Sequence, residues 1–188
     1  MGCCIYELFT IECDVSLLFY IRKINFKRNI LQRERQEGIK IMHDTKYYDI
    51  GLNLFCRQFP EPEKIIKDAA DNGVCCILTG TDSKENSKID EFVKRHEVFG
   101  TAGIHPHNAD QAKQEDFQKI EKILSENNKI VAVGECGLDY DRMFSTKENQ
   151  VRCLEKHIVL AETLDKPLFL HERSAADDFI KRFKKHPD

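Results

Sequence analysis

The sequence lacks the strong charge excess that marks many nucleic-acid-binding proteins. Its 29 Lys and Arg residues face 32 Asp and Glu residues, which gives a net charge of -3 over 188 residues. Proteins that hold nucleic acid by bulk electrostatics usually carry a basic excess or a basic patch. If the substrate is DNA, we therefore expect a local site, with metal ions, to hold it.

The sequence also lacks a cysteine pattern typical of zinc sites or disulfide frameworks. No C-x-x-C occurs among the eight cysteines, and Cys3–Cys4 and Cys75–Cys76 are adjacent pairs. Cys75, Cys76 and Cys136 lie in or beside apolar runs that predict buried strands, where free cysteine behaves as a small hydrophobic residue. We expect reduced thiols in an intracellular protein, with disulfides as the alternative.

The first forty residues lack a membrane or targeting segment. The apolar stretch 17–21 is far too short to cross a bilayer, and positive charges follow it, whereas a secretory signal places them first. We therefore expect no membrane association and a cytoplasmic or nuclear location. We interpret 1–41 as an N-terminal extension that need not be ordered, and 42–188 as one domain. A wrongly assigned coding sequence is the alternative for 1–41.

From residue 47 onward, short apolar runs alternate with amphipathic segments. Near-continuous apolarity over a few residues is typical of parallel strands buried on both faces, and the amphipathic segments predict helices. Pro62 suits a first helical turn, while Ser145 with Glu148, and Ser174 with Asp177, predict helix starts. The predicted strands are 47–53, 74–80, 98–104, 130–134 and 167–171.

Five strands, each followed by a helix, predict an α/β fold with a parallel sheet. A doubly wound sheet and a (β/α)8 TIM barrel both fit this order. Polar residues follow almost every strand, and this favours the barrel, here with about five βα units. These residues are Asn53, Thr79, Thr81, Asp82, His105, His107, Glu135, Asp139, His171, Glu172 and Arg173.

Imidazoles and a carboxylate at one rim of the sheet indicate a divalent-metal hydrolase. A single histidine at a strand end is more often a structural group. Glu135 directly follows a buried strand, where a carboxylate needs a partner or a metal ion. Asp139, in contrast, precedes a charged loop that is commonly just solvated. Arg173 could hold a phosphate, or pair with Glu172 or Asp177.

At these positions the sequence resembles the TatD family of metal-dependent deoxyribonucleases, in the amidohydrolase-like TIM-barrel group. The resemblance runs from residue 47 to the C-terminus and implies an incomplete TIM barrel. It lies in the segments DIGLN (49–53), TGT (79–81), TAGIHPH (101–107), VGECGLD (133–139) and PLFLH (167–171).

The resemblance implies hydrolysis of DNA phosphodiester bonds in the 3′→5′ direction with divalent metal ions. Mg²⁺ is expected, with Zn²⁺ and Mn²⁺ as alternatives. It implies metal binding by Glu135 and His171, catalysis by Glu135 and His105, and contacts with substrate phosphate by Asn53, His105, His107 and Arg173.

The sequence departs from the family pattern in three places. Gly51 and Asn53 stand where many relatives carry an H-x-H motif, and Glu172 stands where relatives have cysteine. The chain also stops at Asp188, after five of the expected eight strands. We therefore expect reduced or absent activity, and self-association through the open barrel edge. A fragment that binds DNA or a partner chain, and an amidohydrolase-like enzyme for small substrates, are the alternative functions.

Overall fold

The computed structural model of the protein describes Thr45 and residues 47–186, so the predicted extension 1–41 lies outside the described residues. Strands and helices alternate along this part of the chain, with a short 3-10 helix, Pro106–Gln111, after the third strand. The strands are β1 (Tyr47–Leu52), β2 (Val74–Leu78), β3 (Phe99–Ala102), β4 (Ile130–Asp139) and β5 (Leu168–Arg173). The helices are α1 (Pro62–Asp71), α2 (Ser83–Arg95), α3 (Gln114–Glu126), α4 (Lys147–Leu164) and α5 (Ala176–Phe183).

The five strands form one parallel sheet in the order β1-β2-β3-β4-β5. In a doubly wound sheet the strand order reverses at a switch point, whereas a TIM barrel keeps neighbouring strands consecutive in sequence. The observed order therefore confirms the prediction of a partial (β/α) barrel. The carboxyl ends of β3, β4 and β5 meet at one edge of this sheet.

The main correction to the predicted strands concerns β4. It extends to Asp139 instead of ending at 134, because it stays paired with β5 through Gly137↔His171 and Asp139↔Arg173. Asp139 is therefore the last residue of a strand. The alternative that the sequence allowed, a place in a solvated loop, is wrong.

Pro62 lies in the first turn of α1, as predicted, and helices also begin close to the two other predicted starts, but the predicted serine caps are absent. The cap residue of α4 is Thr146 without a side-chain cap bond, and α5 begins at Ala176. The Ser145 hydroxyl instead donates to the carbonyl of His107 and accepts from the backbone N–H of Asp110. It ties two loops together at the site end of the sheet, so it is not free to cap the helix.

Asp82, predicted as a rim residue, caps α2. Its carboxylate accepts the backbone N–H groups of Lys84 and Glu85 at 2.8 Å each, as expected for an aspartate at a helix start. Asp82 therefore serves the helix rather than a site.

The core lies between the sheet and the helices, and buried aliphatic and aromatic side chains fill it. Three cysteines join it, Cys76, Cys136 and Cys153, while Cys75 lies in a separate small cluster with Ile77 and Phe99. These four and Cys56, the five cysteines of the described region, are all free. Burial raises the pKa of Cys75 to about 12 and that of Cys76 to about 11, so these thiols stay protonated at neutral pH. The prediction of unpaired thiols is confirmed for these five; Cys3 and Cys4 lie outside the described residues.

None of the helices within residues 47–186 combines the length and the apolar character that a bilayer crossing requires.

Gly134 permits the close packing of β4 against β5 beside the site. Its φ of +136° is in a region that favours glycine, and a Cβ atom there would lie 2.1 Å from the Phe169 carbonyl oxygen. We expect Gly134→Ala to lower the free energy of unfolding by about 3 kcal/mol, from overpacking and backbone strain together. Urea unfolding of the 188-residue chain measures this.

The matched control for Gly134 is Gly51→Ala. Gly51 also has a positive φ, +112°, but the nearest atom to an added Cβ is 3.7 Å away. The Gly51→Ala variant should lose clearly less free energy of unfolding than Gly134→Ala, because only backbone strain contributes there. Equal losses for the two variants would show that the contact with Phe169 is unimportant.

Candidate metal centre

Three predicted site residues come together at the carboxyl end of the sheet. His105 follows β3, Glu135 lies on β4 and His171 on β5, and one ligand atom from each lies within 4.8 Å of the others. Glu135 Oε1 is 3.2 Å from His171 Nδ1 and 3.7 Å from His105 Nε2. Glu135 and His171 are buried, so this carboxylate and this imidazole meet away from bulk solvent.

His171 has a free nitrogen that suits a cation. Its Nδ1 atom pairs with Glu135, while its Nε2 atom is buried and has no hydrogen-bond partner among the described residues. Buried polar atoms nearly always have a partner, so an unused imidazole nitrogen beside carboxylates indicates a ligand position. Glu135 Oε1 holds the other ring nitrogen, and the second carboxylate oxygen of Glu135 is left for a cation. The residues present therefore fit a divalent cation.

Asp139 completes this cluster. Its side chain is fully buried, with Oδ2 lying 2.7 Å from His107 Nε2 and 3.4 Å from His171 Nε2. Burial alone would raise the pKa of this carboxyl, but hydrogen bonds from the Arg142 backbone and from His107 outweigh it and lower the pKa to about 2. Asp139 is therefore an anion at neutral pH, directly beside the free nitrogen of His171.

Sequence reasoning missed this position of Asp139, although a pattern was available. Glu135 and Asp139 are four residues apart on one strand, and residues at even spacing in a strand face the same side. The prediction failed because β4 was expected to end at 134.

Gln150 is a second residue that sequence reasoning missed. It is fully buried on α4, accepts the backbone N–H of Asp139 at 2.8 Å, and donates to the carbonyls of Asp139 and Ser145. It fixes the end of β4 in the orientation that presents the Asp139 carboxylate. Its position one helical turn before Leu154, on the apolar face of α4, is the pattern that could have revealed it.

His105 differs from His171 in the way its ring is held. It caps the 3-10 helix, with Pro106 in the first turn, and its Nδ1 atom accepts the backbone N–H of His107 at 3.2 Å. Burial lowers the pKa of His105 to about 4, so the ring is neutral at neutral pH. Because Nδ1 accepts a hydrogen bond, the proton of the neutral ring lies on Nε2, which faces Glu135. This geometry gives His105 a donor atom in the site rather than a free ligand atom.

His107 is the more exposed imidazole at the mouth of the site. About 27% of its side chain is accessible, and its ring lies 4.2 Å from that of His105 and 4.7 Å from that of Phe144, measured between ring centroids. With Nε2 held by Asp139, the His107 ring has a fixed orientation beside His105, and phosphate binding by His107 stays a prediction.

Asn53 and Arg173 are not part of the cluster. Asn53 is exposed after β1. Arg173 pairs with Asp141, at 3.2 Å between Nε and Oδ2, rather than with Glu172 or Asp177 as the sequence allowed. Glu172 accepts the backbone N–H of Ala175, so it supports the start of α5 instead of joining the ligands. Phosphate binding by Asn53 and Arg173 stays a prediction.

The fold and the site place the protein among the parallel βα-barrel proteins with a candidate divalent-cation centre at the carboxyl end of the strands. A family model described as TatD related DNase matches residues 48–188. The chain belongs to the TatD family, which confirms the family predicted from the sequence motifs.

Two curated relatives are similar over most of the barrel region. The 3′-5′ ssDNA/RNA exonuclease TatD of Erwinia amylovora is 37% identical over 141 residues, covering 73% of this chain and 54% of that protein. The protein of the same name from Erwinia tasmaniensis is 38% identical over 141 residues, with the same coverage of 73% and 54%. The chain therefore spans about half the length of the curated relatives it matches.

A solved structure supports the same fold. The crystal structure of YjjV, a TatD homologue from Escherichia coli K12, matches with a TM-score of 0.67 and 25% sequence identity, over 76% of this chain and 56% of that one. The predicted fold class, an incomplete TIM barrel, is thereby confirmed.

Proposed function

We propose that this site hydrolyses phosphodiester bonds of single-stranded DNA from the 3′ end, with a divalent cation held by Glu135, His171 and Asp139. The observation that carries the proposal is the buried Nε2 atom of His171, which has no hydrogen-bond partner and lies 3.4 Å from Asp139 Oδ2, while Glu135 holds the Nδ1 atom of the same ring. The names of the two Erwinia relatives support the substrate and the direction of digestion.

A divalent cation bound there would polarise a phosphoryl oxygen and lower the pKa of a water molecule to about 7. Glu135 and His105 have separate tasks beside the cation. Glu135 fixes the His171 ring through its Nδ1 atom and keeps Nε2 directed into the site. The Nε2–H group of His105 can donate to a non-bridging phosphate oxygen and stabilise the charge that develops there.

His107 and Asp139 act as a pair at the mouth of the site. Asp139 anchors the His107 ring at 2.7 Å, and the exposed part of that ring can contact the phosphate on the leaving side. An anchored imidazole keeps its orientation when substrate enters. Proton transfer between this ring and the substrate is therefore favoured relative to a ring that rotates freely.

The type of metal ion is a separate part of the proposal. Mg²⁺ prefers a shell of oxygen ligands, whereas imidazole nitrogen suits Zn²⁺ and carboxylate oxygen also suits Mn²⁺. A site with His171 and two carboxylates therefore matches Mn²⁺ or Zn²⁺ in chemistry at least as well as the predicted Mg²⁺. All three ions belong in the assay.

The other predicted functions have less support. The relatives' names give no indication of a small amide substrate. β1 and β5 are the outer strands of the described sheet, and each pairs with a single neighbour there, so self-association through these edges stays a prediction. Binding of DNA without hydrolysis, and a cytoplasmic or nuclear location, stay predictions as well.

The test of the proposed function is release of nucleotides from single-stranded DNA by the purified 188-residue chain. From a 3′-labelled strand, we expect labelled mononucleotides from the first time point. From a 5′-labelled strand, we expect release of the label only at the end of digestion. Added EDTA should abolish release, and Mg²⁺, Mn²⁺ or Zn²⁺ should restore it. Release that survives EDTA, or that begins at the 5′ end, would contradict the proposal.

A further inference from the structure

The backbone that leads from β3 to His105 leaves the sheet before it reaches the site. β3 ends at Ala102, so Gly103 and Ile104 carry N–H and C=O groups that need partners outside the ladder. Two buried polar side chains supply them, Asn86 from α2 and His157 from α4. These are the helices that follow the strands on either side of β3.

Asn86 holds the first of these two residues from one side. Its Nδ2 atom donates to the Gly103 carbonyl at 2.9 Å, and its Oδ1 atom accepts the Gly103 N–H at 3.2 Å. The side chain is 1% exposed. A buried amide with both of its ends engaged on one residue fixes that residue firmly, because breaking either bond leaves an unsatisfied group.

His157 holds the next residue from the other side. Its Nε2 atom accepts the Ile104 N–H at 3.1 Å, and its Nδ1 atom donates to the Cys153 carbonyl at 2.8 Å. The ring is fully buried, and burial lowers the pKa of His157 to about 4, so it is neutral and can accept. Both ring nitrogens are used within the scaffold, and neither is left for a ligand.

The clamped segment also abuts the peptide that precedes Glu135. A Cβ atom on Gly103 would lie 2.4 Å from the Cα atom of Gly134. A displacement of 103–104 would therefore move His105, which follows the clamp, and press on the strand that carries Glu135.

We propose that Asn86 and His157 are positioning residues that clamp the Gly103–Ile104 backbone and thereby set the donor atom of His105 against Glu135. This inference rests on the proposed function, since it gives His105 a task at the phosphate. Neither side chain is among the site residues that the sequence motifs predict.

The test compares His157→Leu with His157→Gln in the full chain. Leucine fills similar space but cannot accept the Ile104 N–H, whereas the glutamine carbonyl can. We expect the leucine variant to lower kcat on single-stranded DNA about tenfold with KM nearly unchanged, and the glutamine variant to keep kcat within about twofold. In metal-free protein, the ¹⁵N signals of the His105 ring should shift in His157→Leu and stay in place in His157→Gln.

The matched control is Asn127→Leu. Asn127 is also buried and also binds backbone, through the Lys129 N–H and the Asp90 carbonyl, but at the opposite end of β4. The Asn127→Leu variant should lower thermal stability as His157→Leu does. It should leave kcat and the ¹⁵N signals of the His105 ring unchanged. If His157→Leu does not fold, Asn86→Ala removes the other half of the clamp and should produce the same shift of the His105 signals.

Two results would overturn the clamp. One is unchanged His105 signals in His157→Leu or Asn86→Ala; the other is a loss of kcat in Asn127→Leu equal to that in His157→Leu. An inactive wild-type chain would refute the proposed function instead, and the ring signals of metal-free protein would still decide on the clamp.

Discussion

Replacing Glu135 with glutamine is expected to lower the rate of nucleotide release by about a thousandfold. Glutamine keeps the shape of the side chain but removes the negative charge that faces His171 and His105 at 3.2 and 3.7 Å. Charge stabilisation by a bound metal ion contributes several kcal/mol in the transition state, and a tenfold change in rate corresponds to 1.36 kcal/mol. If the cation leaves, a loss of several kcal/mol therefore corresponds to about three tenfold decreases in rate. The measurement is kcat/KM on 3′-labelled single-stranded DNA at the lowest Mn²⁺ concentration that saturates the wild-type chain.

The control for Glu135 is Glu97→Gln. Glu97 precedes β3 at the other end of the barrel and is mostly exposed beside Lys129. Its removal should change the rate by less than about twofold, in line with the small effect of exposed ion pairs. A Glu135→Gln variant that digests DNA as fast as Glu97→Gln would show that the site lies elsewhere.

Replacing Asp139 with asparagine is expected to lower the rate by about a hundredfold. The carboxylate anchors His107 and lies against the free nitrogen of His171, and asparagine supplies a neutral amide in the same space. Loss of a group that orients or adjoins a metal ligand typically reduces metal affinity or activity 10- to 100-fold. Calorimetric titration with Mn²⁺ should show weaker binding in parallel with the lower rate.

The neighbouring Asp141→Asn variant is the matched control for Asp139. Asp141 is exposed and pairs with Arg173, so its loss should leave both the rate and the Mn²⁺ affinity within about twofold. If Asp139→Asn loses stability but binds Mn²⁺ as tightly as the wild type, Asp139 has a structural task only.

Much of the fold and the centre of the site could be predicted from local sequence patterns. Apolar runs indicated the five strands, and the rule that parallel strands direct their carboxyl ends to one edge brought His105, Glu135 and His171 together. The structure confirms that they meet. Such a prediction succeeds because each residue is placed by its own strand, without knowledge of distant contacts.

The residues that escaped prediction depend on contacts between distant elements. Asp139 was misplaced because pairing with β5 extends β4, and pairing register is not visible in a single apolar run. Asn86 and His157 bind backbone 17 and 53 residues away. A polar residue on an apolar helix face indicates some buried partner, but not which one.

The failed prediction of a helix cap at Ser145 has a related cause. A serine followed three residues later by an acidic residue predicts a cap only if the hydroxyl is not used elsewhere. Ser145 is occupied by the loop of His107, as its bonds to the carbonyl of His107 and the N–H of Asp110 show. Tertiary hydrogen bonds thus override a local preference close to the site.

The most direct test of the central claim is anomalous scattering from crystals of the chain soaked in Mn²⁺. We predict one strong peak within bonding distance of His171 Nε2, with Glu135 and Asp139 beside it, and loss of that peak in Glu135→Gln crystals. The absence of a peak at His171, or a peak only among surface carboxylates, would contradict the assignment of a metal centre to this end of the sheet.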